Sequence, residues 1–252
     1  MKDYTISLHK FGILEWRICR PEKRNAINFN VIQGLETALS MVERNSEIKA
    51  LVITGEGEQA FCSGGDLDEF HKLKTEEEAL SMLSRMGNNL YKLATLSTPS
   101  LALINGTAVG GGCEIAAACD FRIARKGSKL GFIQGKLGIT TGWGGASLLF
   151  EKIPIDIAFK ILSEANTYAA EDLQKEGFIH QVKSEVDIGS AEGYLKEMLD
   201  INVNVIKSYK QALVSKWMAN DLKKRMENEI KRCAQLWEKD EHHQAVEKFR
   251  LR

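Results

Sequence analysis

Three consecutive glycines, Gly110, Gly111 and Gly112, stand between an apolar run and a small-residue segment whose first acid is Glu114. The run Leu101 to Ile104 has the length of a buried strand, Asn105-Gly106 breaks it, and Cys113 to Cys119 is predicted helical. Glycines at such a passage let a ligand lie against the backbone. The helix start also offers unpartnered peptide N–H groups at the positive end of its dipole, a place for an anion or a developing oxyanion. An ordinary loop, with Glu114 merely complementing the dipole, is the alternative. A second stretch, Ala60 to Leu67 (AFCSGGDL), repeats the pattern of small residues in a turn after an apolar run. Two glycine turns can supply two converging N–H donors, and one acid beside them makes a reaction site.

The motifs AFCSGGDL and NGTAVGGGCEIAAACD, about 45 residues apart, resemble the crotonase (enoyl-CoA hydratase/isomerase) superfamily. RPEKRNAI before them and LGITTGWGGASLL after them fit the same pattern, so the resemblance covers essentially the whole chain. It implies an α/β fold with a spiral core of repeated ββα units and a C-terminal helical region that makes trimer contacts. It also implies an oxyanion hole for a thioester, formed by the N–H groups of Gly65 and Gly111. Lys23 and Arg24 become candidates for the phosphates of coenzyme A, and Ala26, Ser63, Asp66, Leu67 and Trp143 for the substrate's walls. From the residues themselves, Arg20 to Asn25 reads as an exposed loop and Asp66 as a helix cap.

Hydratases of this superfamily hold water between two glutamates. The first matches Glu114, but the second position is Gln134. A carboxylate can take or give a proton near neutral pH and a primary amide cannot. Gln134 can instead donate its NH2 to a substrate carboxylate, or simply pack. Loss of CO2 from a malonyl-type thioester fits one acid: two backbone donors stabilise the enolate and one proton donor finishes the reaction. The segments Gly138 to Gly145 and Ala118 to Arg122 resemble ethylmalonyl-CoA decarboxylase-type members. The alternatives are a hydratase or double-bond isomerase using Glu114 alone, and a non-catalytic acyl-CoA- or RNA-binding member. Trp143, flanked by glycines, is expected in an exposed turn as an aromatic wall of the acyl pocket.

The elements that must position these residues follow from periodicity. Gly12 to Ile18 alternates as a strand, and Asn30 to Arg44 carries apolar residues at Val31, Leu35, Leu39 and Val42 on one helical face. Ala50 to Thr54 is a buried strand. Thr75-Glu76-Glu77-Glu78 matches a capping box that opens a helix to about Leu96. Strands recur at Phe121 to Ala124 and Lys129 to Ile133, and Ala169 to Gly177 reads as a short helix ended by glycine. Beyond Val182 only helices are expected, from Ser190 to Arg252, with breaks near Asn202 and Asn220. Leu222, Met226, Ile230, Cys233 and Trp237 form an apolar stripe there, which the core or another subunit must cover. The expected division is a core over 1–189 and a helical region over 190–252, assembled as a trimer or dimer of trimers.

With 252 residues, 44% of them hydrophobic, the chain can bury a sizeable core. Its 34 basic and 34 acidic side chains balance, which gives no electrostatic case for nucleic acid or an anionic membrane; Lys223-Lys224-Arg225 and Lys231-Arg232 are only a local cluster. The start lacks the continuous apolar core of a signal peptide, and the glycines and Glu114 argue against a span at 101–119. Five cysteines without a C-x-x-C pair point to a reduced, cytoplasmic protein without a metal site. No cofactor is expected beyond the coenzyme A that the substrate carries.

Overall fold

The apolar runs without helical spacing become strands, and these sort into two sheets. The structure, a computed structural model, describes residues 2–250. In chain order the first strands are β1 (Tyr4–Leu8), β2 (Ile13–Ile18), β3 (Ala50–Gly55), β4 (Ala60–Cys62) and β5 (Ser100–Ile104). They are followed by β6 (Thr107–Val109), β7 (Phe121–Arg125), β8 (Lys129–Gly131), β9 (Tyr168–Ala169) and β10 (Gln181–Lys183). One sheet has the order β1-β2-β3-β5-β7-β10, parallel except for the antiparallel β1-β2 pair, and the other runs β4-β6-β8-β9.

Helices follow the strands in the same rhythm. They are α1 (Phe29–Arg44), α2 (Leu67–Phe70), α3 (Glu76–Thr95), α4 (Gly111–Ala118), α5 (Gly145–Leu149), α6 (Ile155–Glu164) and α7 (Ala170–Lys175). Then come α8 (Ile188–Asp200), α9 (Val203–Ala219), α10 (Leu222–Trp237) and α11 (Asp240–Arg250). A strand of the large sheet, a strand of the small sheet and then helix recurs three times: β3-β4-α2/α3, β5-β6-α4 and β7-β8-α5/α6. This is the ββα repeat. Each turn of it carries a small-sheet strand directly into a loop at the same edge, which brings 63–66, 110–112 and 132–145 together. Thr75 and Glu78 form the expected capping box on α3.

The alternation in Ile13 to Ile18 does not mark a half-solvated strand. Leu14, Trp16 and Ile18 join the main core with α1, while Ile13 packs with Val52, Leu101, Leu103 and Ile123 under Ala191 and Leu195 of α8. The parallel sheet is buried on both faces. The apolar stripe at Leu222 to Trp237 is covered by this chain's own core, where α10 lies along α3. Gly87 allows the close crossing, since a Cβ there would stand 2.3 Å from Ile230 Cδ1. One apolar cluster thus spans both sides of position 189. The last helical stretch has a further break at 238–239, because α10 and α11 are separate; of the expected run to Arg252, residues 251–252 lie outside the described residues.

Candidate active site

The two glycine turns meet. Gly64, in the left-handed region at φ 94°, lets its turn approach Gly111 so closely that a Cβ on it would stand 3.2 Å from Gly111 N. Gly112 seats α4 on β4, where a Cβ would meet the Cys62 carbonyl oxygen at 2.2 Å. Neither Gly65 N–H nor Gly111 N–H has an acceptor among the described residues. Both glycines line a cavity of about 320 Å³ together with Glu114, Gln134 and Trp143. The walls are largely apolar, with Phe70, Met82, Leu83, Leu137 and Ile139 among them.

Glu114 is 2% exposed and takes four N–H donors. Gln134 Nε2 (2.8 Å) and Gly142 N (3.3 Å) donate to its Oε1. Trp143 N and Gly145 N donate to its Oε2, each at 2.8 Å. Burial, helped by the nearby Glu229 carboxylate, pushes the Glu114 carboxyl up to about 7, against the pull of the backbone N–H groups. The acid is therefore poised between its two forms near neutral pH. The NH2 group of Gln134, which the sequence offered to a substrate, is engaged with Glu114, and its Oε1 is sealed without a partner.

Trp143 is not in an exposed turn. It is 4% exposed, and its ring fills the space left by the missing side chain of Gly111, where a Cβ would stand 2.0 Å from Trp143 Cζ3. The same ring reaches Gly65, whose Cβ would lie 3.9 Å from Cζ2. Trp143 is a cavity wall, reached by packing against both glycines rather than by exposure.

At the cavity mouth, Lys23, Arg24, Ala26, Ser63, Asp66 and Leu67 all line the opening. Lys23 Nζ is paired with Asp68 at 2.6 Å, so an incoming phosphate must compete with that carboxylate. Arg24 and Asn25 both have positive φ, and the buried Asn25 side chain holds this strained turn by donating to the carbonyls of Glu56 and Ala60. Ser63 Oγ donates to the Lys23 carbonyl. Asp66 caps α2 through Asp68 N and pairs with Arg20 at 2.7 Å, the structural role its position suggested.

Sequence reasoning missed two residues. Glu229 of α10 accepts from Thr141 Oγ1, Ala146 N, Ser147 N and Ser147 Oγ, fixing the loop that binds Glu114. Its signal was a carboxylate three residues past Met226 and four before Cys233, on the edge of the apolar stripe. His242 of α11 also lines the cavity, and it sits in a highly charged segment where nothing local marks it. In the basic cluster, Arg225 pairs with Glu151 at 2.6 Å and Lys223 lies over the Tyr91 ring. Among the described residues no helix is long and apolar enough to cross a membrane.

The family model described as enoyl-CoA hydratase/isomerase matches residues 9–251. The chain is 35% identical to the ethylmalonyl-CoA decarboxylase of Xenopus tropicalis over 74% of its own length, and the match spans only 60% of that protein. It is 31% identical to the short-chain-enoyl-CoA hydratase of Clostridium acetobutylicum, over 78% of this chain and 75% of that one. A solved enoyl-CoA hydratase from Bacillus halodurans superposes with a TM-score of 0.88 at 23% identity, covering 98% of this chain and 99% of the other. That likeness concerns the fold, and it matches the ββα spiral described above.

Proposed function

The chain belongs to the enoyl-CoA hydratase/isomerase family, and we propose that within it this protein removes CO2 from a malonyl-type acyl-CoA thioester. The observation that carries the reading is Glu114 hydrogen-bonded to an amide, Gln134, rather than to a second acid, in the wall of a cavity that also holds two unpaired N–H groups. The thioester oxygen accepts from Gly65 N–H and Gly111 N–H. The bond from Cα to the carboxylate breaks, its electrons pass to that oxygen as an enolate, and CO2 leaves. Glu114, poised near neutrality, gives its proton to Cα and regains one from solvent.

Resemblance to the Xenopus tropicalis decarboxylase supports this reading, while resemblance to the Clostridium acetobutylicum hydratase supports a second one, hydration or isomerisation through Glu114 alone. Coenzyme A enters along Lys23 and Arg24, and no other cofactor is required. Five free cysteines suit a reducing compartment such as the cytoplasm. Ile155 and Phe159 of α6, 70% and 65% exposed, and Tyr209 of α9, 71% exposed, are the surface for assembly into a trimer or dimer of trimers.

The test is a turnover screen with malonyl-, methylmalonyl-, ethylmalonyl- and crotonyl-CoA. Release of CO2 with formation of the shortened acyl-CoA is expected. Hydration of crotonyl-CoA with no decarboxylation would replace this reading by the second.

A further inference from the structure

We propose that His242, on α11, is the residue that recognises the carboxylate of the malonyl-type thioester, a specificity role that rests on the decarboxylation reading. His242 is 2% exposed, yet it is one of the residues that line the cavity. Its Nδ1 lies 2.7 Å from the Leu137 carbonyl oxygen. A carbonyl can only accept, so Nδ1 carries the proton and Nε2 is left with its lone pair. Nε2 has no protein partner among the described residues, and the residue borders the cavity.

The ring is well fixed. It lies 4.6 Å from the Trp237 ring, and its backbone rests on Gly138, where a Cβ would come within 3.4 Å of His242 Cα. The short turn Gln134–Leu137 sets both ends of the site. It begins with the amide bonded to Glu114 and ends with the carbonyl bonded to His242. Acid and imidazole therefore face one cavity from a common support.

A carboxylate inside this cavity needs a cation. Among the described residues the only Lys or Arg side chains in its lining are Lys23, tied to Asp68, and Arg24, both at the mouth. His242 can supply the charge by taking up a proton. Burial, His243 on the same helix and Lys74 beside α2 all hold the empty ring neutral, while the bond to Leu137 favours its charged form. Glu114 is the facing acid. An anion arriving at Nε2 favours the charged ring, which takes a proton from solvent and grips the anion as an ion pair. When CO2 leaves, the charge has no partner, the proton departs, and the neutral acyl-CoA is released.

The experiment measures binding by titration calorimetry, in two buffers of different ionisation enthalpy. The probes are 2-sulfonatopropionyl-CoA, whose sulfonate mimics the carboxylate but cannot leave as CO2, and propionyl-CoA. Wild type should bind the sulfonate more tightly and take up a proton. His242→Phe should weaken the sulfonate about 10- to 100-fold, leave propionyl-CoA unchanged and abolish proton uptake. His242→Gln, a neutral donor and the fallback if the phenylalanine variant does not fold, should bind the sulfonate at intermediate strength without proton uptake. Equal weakening of both probes, or proton uptake that persists without His242 in a Glu114→Gln background that removes the other titrating group, would overturn the proposal. These readouts do not depend on turnover. A wild type that shows them but never releases CO2 from methylmalonyl-CoA would lose the reaction reading and keep the recognition site.

Discussion

Glu114 and Glu229 divide the first three amides of α5 between them: Gly145 N donates to Glu114, and Ala146 N and Ser147 N donate to Glu229. Two carboxylates, contributed by helices more than a hundred residues apart in sequence, thus share one loop. Glu229 makes Glu114 harder to ionise, burial makes Glu229 itself harder to ionise, and the amides between them keep both in place.

That coupling predicts a pH profile. If protonated Glu114 delivers the final proton, kcat/KM for decarboxylation falls as pH rises through about 7. Glu229→Gln removes a neighbouring negative charge, so ionised Glu114 becomes easier to form and the fall begins at lower pH. A limb that stays in place would separate Glu229 from the chemistry.

Gly111→Ala is expected to abolish turnover for a steric reason, since the new methyl would stand 2.0 Å from the Trp143 ring. Either the ring or the amide must move, and displacing one oxyanion donor costs about 100- to 1,000-fold in kcat. Adding Trp143→Ala should relieve the clash and raise the melting temperature above that of Gly111→Ala alone. Simple additivity of the two thermal shifts would count against the packing described.

Gln134→Glu places a second carboxyl where an amide now donates at 2.8 Å to Glu114. The two acids would share a proton, which strips Glu114 of its poise and repels a malonyl carboxylate. The ratio of decarboxylation to crotonyl-CoA hydration, in kcat/KM, should fall. Glu114→Gln should slow both reactions. An unchanged ratio in Gln134→Glu would return the site to the hydratase reading.

Ile230→Ala tests where α10 belongs. Buried at 4% exposure against α3, it should cost about 2–5 kcal/mol on urea unfolding, with no change in assembly. Loss of subunit association at unchanged stability would instead place the stripe between subunits.

Phe159→Asp, on the exposed face of α6, should shift the protein to monomer mass by light scattering while leaving its circular dichroism intact. A monomeric wild type would remove the assembly expectation altogether.

Glycine carried much of what the sequence disclosed. AFCSGGDL and the 110–112 triplet were legible because a backbone donor needs glycine nearby, and glycine is visible in one dimension. Trp143 looks exposed in one dimension for the same reason: its glycine neighbours resemble a surface turn, whereas the ring fills room left by two glycines at 65 and 111 in other segments. Glu229 and His242 were hidden because their partners lie far away in sequence, at 141–147 and 137, and no local period signals such contacts. The helical tail was recognised from its charge pattern, but what covers its stripe could be seen only once α3 was in place.

Because α11 contributes His242 and Phe249 to the cavity wall, the recognition proposed above would write acyl preference partly in a short tail outside the ββα repeat. Such a tail is a graftable part. Exchanging residues 240–250 among relatives of the same fold should transplant selectivity without disturbing the oxyanion amides, and a bulky fusion placed just after it would act on substrate choice before it acted on folding.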